Sequence, residues 1–451
     1  MKTNVLSGYL LIICALMLTV TCLLSSCAGT GSGENTSETD MSVTDSPDSS
    51  DIEKEKIPDI ISDGNGIFTV IRPERMTDPE VKNIQFLIRS IDSATGVKLA
   101  FKDDWVAPGE EETVLTAPEI LIGLTNRAES QQIYDALGEN SYTVTRLGNK
   151  IVIIGKDTNC TALAIKDFVT GVVEDPAHAS QGKLVFGENE TLNGTSPDGK
   201  KMTLAALIKA GYDYTVSTKE VLHCDPQGEC NVTQGCAFDG KNVYFVLRNG
   251  TDSATVICKY ELETKKLIKV SNNLPLGHGS DMTYNSDTSQ LVVAHGNTEG
   301  KIITFVDPES LAFIRNLTIN KGAGAITYNK ELKKYAIGQG GTSLHILNSG
   351  FVPTLSLDRK TTDNAVADGY ITQGLGSDST YIYFPMNMTG NTENILVVYD
   401  WNGKFITRVT IPVAMESESM FFTDDGECYI SFYKGRNGAF LHKVDFCITL
   451  G

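Results

Sequence analysis

The hydrophobic pattern changes character four times along the chain. Residues Leu10 to Leu24 are almost continuously apolar behind a short positive start at Lys2. That run is shorter than the ~20 residues a spanning helix needs and has the form of an export signal. Residues 28–56 are Gly, Ser, Thr, Asp and Glu with few large apolar side chains. Such a segment cannot offset its ordering entropy by burial and reads as a tether.

Residues 57–195 then alternate strand and helix signals. "GIFTVIRP", "VKLAF", "EILIGLT" and the hairpin "SYTVTRLGNKIVIIGKD" read as strands. Asp78 opens a helix whose Val81, Ile84, Ile88 and Ile91 share one face, and "ESQQIYDAL" and "CTALAIKDFVTGVV" give two more. The predicted order, β-α-β-β-α-β-β-α, is that of an α/β sandwich. Arg72, Glu74 and Arg127 fall at element ends, where they could bind a ligand or simply face water. "KKMTLAALIKAGY", within residues 196–217, reads as a connecting helix.

From residue 218 to 451 the helical period is gone. Short strands punctuated by "FDGKN" and "TDDGE" take over, and a degenerate unit recurs at Gln234, His278, Ala323, Gln373 and Glu416. A period of about 40–50 residues with four short strands per unit predicts a β-propeller, here of five blades. The last unit, ending "AFLHKVDFCITLG", lacks a fourth strand. Residues 217–224 are expected to supply it and so remove two open edges. That pairing would set Cys224 on the strand beside the one carrying Cys447. The fold class is therefore an α/β N-terminal domain followed by an all-β propeller.

Three resemblances add expectations. Leu24-Ser25-Ser26-Cys27 resembles the lipobox of bacterial lipoproteins. It implies cleavage after residue 26, a lipid thioether on Cys27, and an exported body held at the outer face of a bacterial membrane. An ordinary cleaved signal is the alternative. "EILIGLTNRAES", "SYTVTRLGNKIVIIGKD" and "NCTALA" resemble the non-catalytic α/β domain of β-hexosaminidases and α-glucuronidases, which suggests a carbohydrate context. No catalytic barrel follows, and a structural spacer is the other reading. "GHGSDMTYN" with "LVVAHG" and the "QG" openings loosely resembles helveticin-like propeller proteins and implies no catalytic residue.

Charge narrows the function. The 451 residues carry 38 Lys and Arg against 56 Asp and Glu, a formal charge of −18. Such a body is repelled by nucleic acid and anionic lipid, and no basic stripe offsets this. After Cys27 the cysteines are Cys160, Cys224, Cys230, Cys236, Cys258, Cys428 and Cys447, an odd set without C-x2-C pairs. Cys224 and Cys230 could close a small loop; reduced, buried thiols are the other reading. No P-loop, dinucleotide fingerprint or nucleophile elbow occurs, and no cofactor or metal is expected.

In a propeller the starts of the inner strands and the ends of the second strands converge on one face. The first set is Gln234, His278, Asp281, Gln373, Glu416 and Glu418; the second is Arg248, His295, Gln339, Asn387 and Tyr433. Such groups could bind hydroxyls while Tyr433 stacks on a sugar, or could merely cap strands and hold water. Three classes follow: a non-catalytic lipoprotein binding glycan or cell-wall polymer, a glycosidase or lyase with its site at the channel, or a scaffold for other surface proteins. Glu416 and Glu418, two apart on an inner strand, are expected on one face, where like charge would raise one pKa.

Overall fold

The computed structural model describes residues 57–109, 111–296, 300–339, 341–390 and 392–451. The signal run, Cys27 and the tether lie outside them. Within the α/β domain a six-stranded sheet runs in the order Thr191–Thr195, Ser141–Leu147, Lys150–Gly155, Glu119–Ile122, Thr69–Arg72, Ala100–Asp103. Alternation along the central strands feeds two cores. Val70, Ile120, Ile122, Ile151 and Ile153 meet the helices Asp78–Thr95 and Thr158–Phe168. Ile71, Leu121, Val152 and Ile154 meet Ile133 and Tyr134 of helix Ala128–Ala136 on the other face.

The first helix is capped one residue earlier than expected. Thr77 is its N-cap, and the Glu80 carboxylate reaches back to accept from the Thr77 N–H at 2.7 Å. Asp78 sits inside the first turn, where its charge suits the helix dipole. A short helix, Glu111–Thr116, and the edge strand Thr191–Thr195 were not anticipated. Arg127 is no ligand group. Its guanidinium is buried and pairs with both oxygens of Glu119 at 3.0 Å, while Lys150 Nζ reaches the same carboxylate at 2.7 Å. Burial alone would raise the Glu119 pKa, but the hydrogen bonds and charges of Arg127 and Lys150 win and lower it. Arg72 is spent on the Pro73 and Glu74 carbonyls.

The connector holds a helix, Leu204–Ala210, capped by the Thr203 side chain. Five antiparallel sheets follow, four of them four-stranded and the fourth blade five-stranded because its inner strand is broken, with the strands in sequence order except in the last. The inner strands are Val232–Phe238, Asp281–Asn285, Ala325–Asn329, the broken pair Tyr370–Thr372 and Gly376–Ser377, and Glu416–Phe422. The turn after each repeats one device. Asp239, Asn285, Asn329 and Asp378 accept from backbone N–H groups two and three residues on, and Thr423 Oγ1 accepts from Glu427 N.

Closure uses the N-terminal strand. Tyr214–Cys224 pairs antiparallel with Ala439–Ile448 and completes blade five, starting three residues before the predicted 217. Cys224 lies opposite Ala439 and Cys447 opposite Thr215, so these two sit at opposite ends of the paired strands. Cys224 and Cys230, like the other described cysteines, are free thiols.

The domains are joined at this closing strand. Asn159 donates to the Phe446 carbonyl at 3.0 Å and accepts from Ile448 N at 2.8 Å. Asn83 donates to the Ile448 carbonyl and accepts from Leu450 N, both at 2.8 Å. The two side-chain amides thus stand in for a neighbouring strand where the Cys428–Tyr433 strand has ended. Apolar residues of both domains, among them Ile84, Phe168, Leu204, Leu396 and Phe446, share one core.

Candidate functional site

Counting back from the repeated turn residue aligns the blades at the axis. Gly235, Asp281, Ala325, Gly374 and Ser419 occupy one equivalent position, and Gln234, Ser280, Gly324, Gln373 and Glu418 the one before it. Asp281 is the single large member of its ring. Its side chain fills the axis: Oδ1 accepts from Met282 N at 2.9 Å and contacts Ser419 Oγ at 2.5 Å, and Oδ2 accepts from Ile326 N at 2.8 Å and Leu375 N at 2.9 Å. A Cβ on Gly235 or Gly374 would lie within 3 Å of neighbouring backbone. The small residues are therefore needed for the blades to approach. Asp281, expected on the open face, is instead completely buried, and burial pushes its pKa up to about 7.

Above this plug, the inner strands of blades one, four and five are each one residue longer than their partners. The register slips between Thr233 and Cys236 and between Ser417 and Ser419, and in blade four the strand breaks from Thr372 to Gly376. A bulge turns its extra residue out of the ladder. Glu418 is such a residue, Gln234 lies within the slip of blade one, and Gln373, whose N–H still bonds the Pro385 carbonyl at 3.2 Å, stands at the break of blade four. They line a cavity of about 260 Å³ with Val232, Arg248, Gly250, His278, Glu416, Tyr433 and Arg436.

Its hydrogen bonds give the cavity a definite order. Gln373 donates to Glu416 at 2.7 Å and to Asn387 Oδ1 at 2.8 Å. Asn387 is buried behind Gln373 and positions it without reaching the cavity. Gln234 donates to the Thr233 carbonyl at 2.6 Å and more weakly to Glu418 at 3.4 Å. Burial, then the neighbouring Glu416 charge, raises the Glu418 pKa well above the ordinary carboxylate range, with Arg248 opposing. The shift favours the protonated form of Glu418, which can donate as well as accept. Arg248 pairs with Asp252 at 2.8 Å, and His278 Nδ1 lies 2.9 Å from the second oxygen of Asp252. Burial lowers the His278 pKa, and Asp252 only partly restores it.

The structure thus brings together Gln234, Arg248, His278, Gln373, Glu416, Glu418 and Tyr433. It leaves out Asp281 and Asn387, as described, and two more. His295 is buried inside blade two, 2.6 Å from Thr304 Oγ1. Gln339 is exposed on blade three, its side chain folded over Gly322. Arg436 escaped the sequence reading. It stands in a loop with φ 60°, outside any strand, and no periodicity points to it.

A larger cavity, about 1020 Å³, opens at the other end of the axis beneath the connector helix. Its lining is made largely of the strand-ending turns. Asp239 and Asp378 are occupied by their own turns, and Lys201 and Lys330 by Asp425, Glu427 and Asp424. The smaller cavity gathers the ionisable groups whose chemistry local turns do not explain. Among the described residues no group of three or more His, Cys, Asp and Glu could hold a metal ion, and no helix is long and apolar enough to cross a membrane.

The sheet topology defines a β-propeller carrying an α/β domain. No protein-family model and no curated protein matches the sequence. Solved structures that match include Kuenenia stuttgartiensis hydrazine synthase, at 14% identity and TM-score 0.30 over 47% of this chain and 58% of that one. The β-propeller domain of Myceliophteria thermophila Cps50 (Swd1) matches at 11% identity and TM-score 0.27, over 50% of this chain and 73% of that one. Streptogramin B lyase matches at 14% identity and TM-score 0.28, over 49% and 67%. The chain thus spans under two thirds of the length of hydrazine synthase. These likenesses concern the fold and carry no activity to this chain.

Proposed function

We propose that the protein is an exported lipoprotein, anchored through Cys27, whose propeller binds a glycan or cell-wall polymer without transforming it. The observation that carries the binding reading is the convergence of planar and ionisable side chains from several blades on one small polar cavity. Gln234, Gln373, Glu416 and Glu418 offer the paired donors and acceptors that sugar hydroxyls need, and Tyr433 offers a ring. Binding sites commonly need only a few convergent polar groups.

A second reading, a polysaccharide-active enzyme, is favoured by one observation: Glu418, a carboxyl whose charged form burial disfavours, beside Glu416. A neutral acid next to a second carboxylate is the pairing glycosidases use. Against it, Glu418 is almost wholly buried and Glu416 is held by Gln373. The deciding experiment is a glycan-array screen of residues 57–451 followed by product analysis on the best ligand. Saturable binding without product supports the binder. Turnover supports the enzyme. Absence of binding to any glycan removes both and leaves a scaffold for other surface proteins.

A further inference from the structure

The cavity is not evenly polar. Gln373 and Glu416, from blades four and five, present an amide and a carboxylate already joined to each other. Blade one and the last loop of blade five present two guanidinium groups instead. Arg248 ends the second strand of blade one, and Arg436 stands in the loop before the strand Ala439–Ile448. They are brought to the same place: a Cβ on Gly250, two residues beyond Arg248, would lie 3.1 Å from Arg436 Nη2. Both arginines line the cavity.

Their charges are unevenly balanced. Arg248 uses Nη1 on Asp252 and on the Asn249 carbonyl, while its Nε is buried with no hydrogen-bond partner among the described residues. A buried, unmade hydrogen bond costs roughly 1–3 kcal/mol, and native structures seldom leave one without a reason. Asp252 is moreover shared with His278. Arg436 is exposed and has no carboxylate within ion-pair distance among the described residues. Two cations at one wall, backed by one shared carboxylate, select an anion. Planar guanidinium groups suit a carboxylate in particular, which they can bind with paired N–H bonds.

We propose that the ligand is an acidic glycan, one whose uronic acid carboxylate sits between Arg248 and Arg436 while its ring hydroxyls meet Gln234, Gln373 and Glu416. A uronic acid carries on one ring both the anion that the arginine wall selects and the hydroxyls that the amide and carboxylate wall selects. The inference rests on the glycan reading of the same cavity and adds the ligand's charge. Glu418 opposes it little, since burial disfavours its charged form.

The test uses the full-length chain in detergent and calorimetric titration with trigalacturonate, against the neutral galactotriose of the same linkage. Trigalacturonate should bind at least about tenfold more tightly, and the preference should shrink as salt is raised. Arg436→Gln, at an exposed loop position, should weaken trigalacturonate binding far more than galactotriose binding and so remove most of that preference. Arg248→Gln should do the same, with circular dichroism confirming its fold. Equal binding of both sugars, or a preference indifferent to Arg436→Gln, overturns the acidic ligand and leaves the glycan reading standing. Failure of both sugars to bind, together with an empty glycan array, removes the glycan reading itself.

Discussion

Ser419 Oγ lies 2.5 Å from Asp281 Oδ1, and the same hydroxyl lies 3.3 Å from the Cys236 carbonyl. This contact joins blade five to blade two across the propeller axis and reaches on to blade one. With the Ile326 and Leu375 N–H groups on its other oxygen, Asp281 ties all five blades together. Asp281→Ala would leave three buried backbone N–H groups, of Met282, Ile326 and Leu375, without an acceptor. At roughly 1–3 kcal/mol for each unmade bond, the loss should exceed about 3 kcal/mol. Urea denaturation measures it; a loss below 1 kcal/mol would deny Asp281 this role.

The same network accommodates a proton. Protonated Asp281 can donate to Ser419 while Ser419 donates to Cys236, which fits a pKa of about 7 against an ordinary 3.8. Between those values the native protein holds a proton that the unfolded chain has released. The contribution to stability is therefore complete below about pH 4 and is lost as pH rises through about 7. Asp281→Asn, which cannot ionise, should flatten the decline between about pH 4 and pH 7. Equal pH slopes in parent and variant would show that Asp281 does not titrate there.

Asn83 and Asn159 make a second testable join. Each amide both donates to and accepts from the strand end 446–450. Asn159→Ala breaks both bonds and leaves the Ile448 N–H without its acceptor. The cost should be about 1–3 kcal/mol. Hydrogen exchange should quicken at residues 446–450 more than in blades two and three. Uniform quickening would mean a global loss of stability rather than local release of the strand.

The repeat was legible because its turns are chemical. Asp239, Asn285, Asn329 and Asp378 must accept from their own turns, and that requirement leaves a mark at every unit. The closing strand was legible through a deficit, since blade five ends a strand short. Depth along the axis was not. Alternation assigns a residue to a face, but Asp281 and Gln234 differ by one ring position, and only the bulge separates plug from cavity wall. Arg127 misled for a related reason. A charge at an element end reads as exposed until Glu119 and Lys150, distant neighbours on adjacent strands, are seen to enclose it. The strand Thr191–Thr195 escaped because "TLNGT" lacks the β-rich run of its neighbours and gains its place only by pairing with Ser141–Leu147.

Anchoring is tested away from the folded body. Cys27→Ser removes the thiol that lipidation requires and should move the protein from the membrane to the soluble fraction. Cell fractionation measures this, and a variant that sediments with membrane as fully as the parent would refute a lipid anchor at Cys27.

Glu418 distinguishes binding from catalysis and also titrates. Burial and Glu416 raise its pKa well above 4.5, so the native protein holds this proton where the unfolded chain has lost it. Its contribution to stability is complete below about pH 4.5 and is lost as pH rises through the elevated native value. Glu418→Gln keeps a neutral planar group of similar shape and should therefore gain stability relative to the parent as pH rises from 5 to 9. For a binder, Glu418→Gln and Glu416→Gln change affinity for the best glycan and give no product in either protein. For an enzyme, the parent turns that glycan over, and Glu418→Gln, still folded and still binding, loses rate by about 100-fold or more, the usual worth of a positioned acid. Unchanged affinity in both variants, with no product from the parent, would take the carboxylate pair out of the site and leave its two arginines without the carboxylate part of the wall that meets the uronic acid ring.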